Sequence, residues 1–204
     1  AEAMPFLAPR DRLRVRLIRR SIGRSVRNSC AVIVQTPHMA EVIAETFEVE
    51  RERIKVMFPA STPLLGAPAP SPIVKKFEQT LEGSRILYVG STDGYKNLAN
   101  LARAFRLLRS GCPDVTLFAT VPSDHPLTRG LGVVSLGYVS DVDLAWAYEL
   151  SDLLVLPSIV ETVGLPLLEA MCAGLPIAVS DRPYGHQATG GNAFFFDPND
   201  VTDM

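Results

Sequence analysis

The sequence of 204 residues is 47% hydrophobic and sets 20 lysines and arginines against 22 aspartates and glutamates, for a net charge of -2. That composition supplies a buried core and argues against a nucleic-acid-binding protein, whose footprint is a strongly basic face. Cys30, Cys112 and Cys172 stand alone without a C-x-x-C pair, which points away from zinc and disulfide scaffolds and toward a reducing, cytoplasmic setting. No apolar run reaches the roughly 18 residues of a membrane span.

In chain order, residues 1–29 come first, with arginines at positions 10, 12, 14, 16, 19, 20, 24 and 27. Leu13, Leu17 and Ile18 recur at helical spacings that allow one buried stripe. Two readings stay open for the arginines: a solvated or domain-facing helix surface, or contact with nucleic acid or an anionic membrane. Ala31 to Val34 reads as a strand, Thr36 as the cap of a helix from Pro37 to Phe47, and Ile54 to Met57 as a second strand. His38, in that helix's first turn, reads as a capping or surface residue. Pro59, Pro63, Pro68, Pro70 and Pro72 fall in a stretch with almost no charge and mark a linker; Lys75 to Glu82 is predicted as a short helix.

From Arg85 onward short apolar runs alternate with helical patterns. Strands are predicted at Ile86–Val89, Val115–Ala119, Val133–Val139, Leu153–Leu156, Ile177–Val179 and Ala193–Phe196, with helices at Asn97–Leu108, Asp143–Leu150 and Leu165–Ala173. Six strands in this alternation predict an α/β fold with a doubly wound parallel sheet ordered 3-2-1-4-5-6. The first and fourth strands then meet at the switch point, and the loops that follow them, Gly90 to Asn97 and Pro157 to Pro166, face one crevice.

The stretch from Ser151 to Asp181 organises the chain: strand, loop, helix and strand, with Glu161 in the loop and Glu169 in the helix. Gly164 and Leu165 offer backbone N–H groups at a helix start, a place that favours phosphate. Lys96 closes the glycine-containing loop GSTDGYK, where a flexible cation suits a diphosphate. Glu169, flanked by Leu168 and Ala170, is an acid in a largely apolar helix and needs partners. The two acids do not by themselves license a two-carboxylate hydrolase, and no strand is followed by the G-x-G-x-x-G of a dinucleotide site.

ETVGLPLLEA resembles the E-x7-E motif of the retaining, nucleotide-sugar-dependent glycosyltransferases of family 4. ILYVGSTDGYKNLANLARAF, LGYVSDVDLAWAYELSDLLVLPS and GLPIAVSDRPYGHQATGGNAFFFDP stand around it in family order. The resemblance implies the two-domain GT-B fold: residues 1–60 as the end of an amino-terminal Rossmann-like domain, 61–84 as the crossing, and 85–204 as the nucleotide-sugar-binding domain. It implies transfer of a hexose or deoxyhexose from a nucleoside diphosphate sugar to a saccharide or lipid-linked acceptor, with retention, at the inner face of the membrane. No cofactor and no metal are implied, the donor being a substrate. On this resemblance Lys96 binds the donor diphosphate and Glu161 lies near the donor sugar, the two being the candidate catalytic residues. Glu169 holds the ribose. Gly90, Tyr138, Val139, Gly164 and Leu165 complete the nucleotide site, with base recognition at Gly137 to Val139 largely through the backbone.

Two positions depart from the family: Ser91, where many members have arginine, and Gln187, where members often carry glutamate. His125 and His186 are assigned no catalytic role. A GT-B nucleotide-sugar epimerase and a non-catalytic nucleotide-sugar-binding module remain as alternatives. The sequence reads as a piece of a longer protein, and the chain alone is expected to bind donor with little transfer, because a GT-B enzyme reacts donor and acceptor between two whole domains.

Overall fold

The computed structural model describes residues 9–59, 72–78 and 83–204. The chain divides into two compact units, residues 1–60 and 61–204. Most of the proline-rich stretch lies outside the described residues, as does the end of the helix predicted at 75–82. The described part of that helix starts earlier, at Pro72, and runs to Glu78.

The first unit comprises α1 (Pro9–Asn28), β1 (Val32–Val34), α2 (Pro37–Phe47) and β2 (Ile54–Val56). The two strands pair in parallel, Val32 opposite Ile54. Thr36 caps α2 as its sequence predicts, its buried hydroxyl accepting from the Met39 N–H at 3.1 Å, with Pro37 in the first turn. A small core of Val26, Val34, Ala40, Val49 and Ile54 holds the unit together. The stripe expected on α1 is not buried: Leu13, Leu17 and Ile18 are 62%, 56% and 47% exposed. The helix packs instead through Gly23 and Val26. A Cβ on Gly23 would stand 2.9 Å from the Phe47 ring, so the missing side chain is what lets the two helices meet there. The Arg53 guanidinium closes the carboxyl end of α1, donating to the carbonyls of Val26, Arg27 and Ser29.

The second unit runs α3 (Pro72–Glu78), β3 (Arg85–Tyr88), α4 (Leu98–Gly111), β4 (Thr116–Ala119), β5 (Val133–Ser135), α5 (Asp141–Glu149), β6 (Leu153–Leu156), α6 (Leu165–Cys172), β7 (Ile177–Ser180), α7 (Pro183–Thr189) and β8 (Phe194–Phe196). Its six strands lie in the order β5-β4-β3-β6-β7-β8, all parallel, which is the 3-2-1-4-5-6 order predicted. Alternate residues of each strand feed opposite layers. Leu87, Leu154 and Leu156 join Phe77, Tyr148, Leu167 and Tyr184 on one face, while Tyr88, Leu117 and Val155 join Leu98, Leu101 and Phe105 of α4 on the other. Burial on both faces is why these strands read as unbroken apolar runs. Phe77 stacks on Phe118 at 3.8 Å and fixes α3 to the sheet. At the amino-terminal ends of β3 and β6, opposite the loops that form the crevice, the Asp152 carboxylate accepts from the Arg85 backbone and from two nitrogens of its guanidinium, joining the two strands.

Several boundaries differ from the sequence reading, two of them for a visible local reason, and one helix was missed. β5 ends at Ser135 rather than Val139, because Gly137 takes a φ of +68° and turns the chain off the sheet after the Leu136 N–H has met Ala119. α5 starts at Asp141 rather than Asp143, since the Ser140 hydroxyl caps it by accepting from the Asp143 N–H. The helix α7 was not predicted. It is seven residues long with Gly185 inside, too short for a periodicity, although Pro183 in its first turn and Gly190 at its end are the ordinary start and stop signals.

Candidate functional site

Because β3 and β6 are parallel neighbours, the loops that follow them emerge at the same end of the sheet. They are tied together: the Ile159 N–H donates to the Tyr95 carbonyl at 2.8 Å. In the first loop a single helical turn, Gly94–Lys96, is followed by Asn97 at a φ of +59°, a left-handed conformation that asparagine tolerates better than most residues. Asn97 is buried and its amide donates to the Pro198 carbonyl at 2.7 Å, which anchors the turn. Lys96 is thereby directed inward. Its Nζ lies 2.5 Å from Glu161 Oε1, with the two side chains only 10% and 11% exposed, and 5.3 Å from the centre of the Tyr95 ring. Neither residue is the solvated surface group its type alone suggests.

Tyr88 supports the same loop from below. Its buried hydroxyl donates to the Ser91 carbonyl at 2.8 Å, and a Cβ on Gly90 would stand 2.7 Å from that hydroxyl, so only glycine fits where the loop leaves β3. Burial, reinforced by the charge of Glu161, pushes the Tyr88 phenol well above the usual tyrosine range, so it remains a donor. Ser91 donates to Asp93 Oδ2 at 2.6 Å and brings no positive charge.

Gly164 adopts a φ of +75° ahead of α6 and lies against Leu156 and Leu167. One turn into that helix, Glu169 has the partner its apolar surroundings demand: the buried Tyr148 hydroxyl donates to Glu169 Oε2 at 2.7 Å. Burial first, and then the charge of Glu169, hold the Tyr148 phenol far above its ordinary range.

A separate cleft of about 380 Å³ opens beyond the ends of β3, β4 and β5. Gly90, Ser91, Thr92, Thr120, Tyr138 and Val139 are among its walls. Tyr138 is fully exposed, so its ring is not packed into the core. The structure thus groups Gly90, Tyr138 and Val139 at the cleft, joins Lys96 to Glu161, and ties Glu169 to Tyr148. Two residues escaped the sequence reading. Thr120 clasps the turn at Gly90, accepting from its N–H at 2.9 Å and donating to its carbonyl at 3.3 Å, and nothing local in the sequence marks it. Tyr148 carries no local mark either; the need of Glu169 for a partner is the one hint in the sequence of such a donor.

His186 pairs with Asp181 at 2.7 Å and stacks on Phe195 at 4.0 Å. His125 caps a short turn by accepting from the Leu127 N–H. No described helix is long and apolar enough to cross a membrane.

The chain is 28% identical to the O-antigen chain mannosyltransferase B of Escherichia coli over 97% of its own length and 55% of that protein. It is 24% identical to the O-antigen chain mannosyltransferase RfbU of Salmonella typhimurium, again over 55% of that protein. The chain spans about half the length of these curated relatives. Among solved structures it superposes on Anabaena HepE in complex with UDP and glucose with a TM-score of 0.74 at 19% identity, covering 91% of this chain and 54% of that one. An α,α-trehalose-phosphate synthase (UDP-forming) from Burkholderia vietnamiensis gives 0.75 at 17% identity, over 98% and 55%. These likenesses establish the Rossmann-like half of a GT-B fold. Residues 83–204 match the family described as Glycosyl transferases group 1, and on that match the chain belongs to this family.

Proposed function

We propose that the protein is a retaining glycosyltransferase of family 4 that moves a hexose or deoxyhexose from a nucleoside diphosphate sugar to a saccharide or lipid-linked acceptor. The observation that carries this reading is the buried Lys96–Glu161 pair at the switch point of the sheet, flanked by the glycine-led start of α6. Lys96 and the N–H groups of Gly164 and Leu165 meet the diphosphate, Glu161 accepts from donor-sugar hydroxyls, and Glu169 accepts from the ribose. The base lies in the cleft of Gly90, Tyr138 and Val139, where the exposed tyrosine ring supplies a stacking face. Electrostatic stabilisation of the leaving diphosphate is the main catalytic task, and it is performed without a metal. The O-antigen mannosyltransferases among the relatives support a hexose donor and a polysaccharide acceptor.

The arginine-bearing face of α1, with Leu13, Leu17 and Ile18 exposed beside it, is proposed to rest on an anionic leaflet where a lipid-linked acceptor is presented. The deciding experiment incubates the chain and its longer parent with UDP-, GDP- and TDP-sugars and a mixed acceptor pool, with and without EDTA, and reads the anomeric configuration of any product by NMR. The parent is expected to give an α-linked product from an α-donor, undiminished by EDTA, while residues 1–204 bind donor and transfer little. An inverted product would remove the retaining assignment, and hydrolysis or epimerisation without transfer would remove the transferase itself.

A further inference from the structure

Lys96 and Glu161 supply almost the whole of each other's compensation. Among the described residues Glu161 is the hydrogen-bond partner of the Lys96 ammonium, and Lys96 is that of the Glu161 carboxylate. Ser91 is already turned to Asp93, so it does not relieve either one. A diphosphate that takes Lys96 therefore has to displace Glu161. Once displaced, the carboxylate is left nearly buried, without its cation and beside a second anion, and both conditions oppose binding. The phosphates of a bare nucleoside diphosphate bring only acceptor oxygens to this place and cannot repair this. An intact nucleotide sugar brings hydroxyls, which are donors, to the place the ammonium vacated.

Resting on the donor reading above, we propose that Glu161 is the resident counter-ion of Lys96 and so discriminates intact nucleotide sugar from spent nucleoside diphosphate. With the sugar present, Glu161 exchanges one donor for others and Lys96 is released to the phosphates. When the sugar departs to the acceptor, Glu161 loses those donors and reclaims Lys96, and the diphosphate is expelled. The pair thus acts twice, admitting the substrate and ejecting the product, and no covalent bond to the protein is involved.

The sign of one substitution separates this role from simple sugar binding. Titration calorimetry on the full chain would compare UDP with UDP-glucose, and GDP with GDP-mannose, in wild type, E161Q, K96Q and the double variant, with thermal unfolding as a check on each fold. For whichever base binds, E161Q is expected to bind the nucleoside diphosphate about tenfold more tightly than wild type. The preference for the nucleotide sugar should shrink accordingly. In the K96Q background the same change should give a clearly smaller gain, because no cation remains to compete for and only the repulsion between the two anions is relieved. E161A gives the same readout if E161Q is poorly folded.

Unchanged or weaker diphosphate binding in E161Q, with K96Q still weakening it, sinks the counter-ion role and leaves the donor site standing. An equal gain in the K96Q background sinks it too, since that is the general effect of removing a negative charge. If wild type binds none of the four probes, or K96Q binds them as wild type does, the donor reading fails and takes the inference with it.

Discussion

The loop after β6 and the helix that follows it each hold a carboxylate partly withdrawn from solvent, and they solve the problem in different ways. Glu161 is neutralised by a cation at 2.5 Å, whereas Glu169 is held by a neutral phenol at 2.7 Å. A cation is exclusive: it is itself wanted by any anion that enters, so under the proposed donor reading the pair must open for a diphosphate. A phenol occupies one carboxylate oxygen, Oε2, and leaves the charge and the other oxygen to a further donor. The first acid is therefore competed for, and the second is preformed.

Breaking the charged pair has the largest expected effect. Lys96→Ala leaves Glu161 buried without its cation, and removing one partner of such a pair costs about 3–5 kcal/mol. Urea unfolding should show that loss, and diphosphate binding should fall with it. A variant as stable as wild type would mean that the loop relaxes and solvates Glu161, and the contrast between the two acids would lose its physical basis.

Next comes Glu169→Gln, which keeps the shape of the side chain but turns a charged acceptor into a neutral one. Hydrogen bonds to charged groups are worth roughly 1.5–3 kcal/mol, so nucleotide affinity should drop about tenfold or more. Calorimetry giving equal affinities would free Glu169 from the nucleotide altogether.

The phenol side of the comparison is open to pH. Tyr148, Tyr88 and Tyr184 are all raised above the ordinary tyrosine value, in each case first by burial. Their neutral forms are the ones the fold accepts, so their contribution to stability is fully present below an unfolded pKa of about 10 and is lost as pH rises beyond it toward the folded values. Each phenol should withdraw about 1.4 kcal/mol per pH unit above that point. Unfolding midpoints at pH 8 and pH 11 measure this. A flat profile would mean that the phenols reach solvent.

Tyr148→Phe should have the smallest effect, about 1 kcal/mol for one lost hydrogen bond and a few-fold loss of nucleotide affinity. A far greater loss would show that Glu169 depends on the phenol as strictly as Glu161 depends on Lys96, and the comparison would collapse.

Much of this was legible in the residues because it depends on near neighbours. Unbroken apolar runs at Leu153–Leu156 and Ile177–Val179 announce strands buried on both faces, and their alternation with helices dictates a parallel sheet and its order. Thr36–Pro37 starts a helix through contacts within one turn. The apolar flanks of Glu169 declared that the acid needed a partner. Only the tertiary structure decided who the partners are. Lys96 and Glu161 meet across two strands, and Tyr148 reaches Glu169 from another helix; Thr120 grips Gly90 from a neighbouring strand. Each of these contacts joins residues distant in the chain, whose approach follows from the pairing of β3 with β4 and β6 and from the packing of α5 and α6 on one face of the sheet. The same dependence explains α1, whose spacing promised burial for Leu13, Leu17 and Ile18. Periodicity can show that a stripe is able to be buried, but whether it is buried depends on a surface elsewhere in the fold, and here that surface meets Gly23 and Val26 instead.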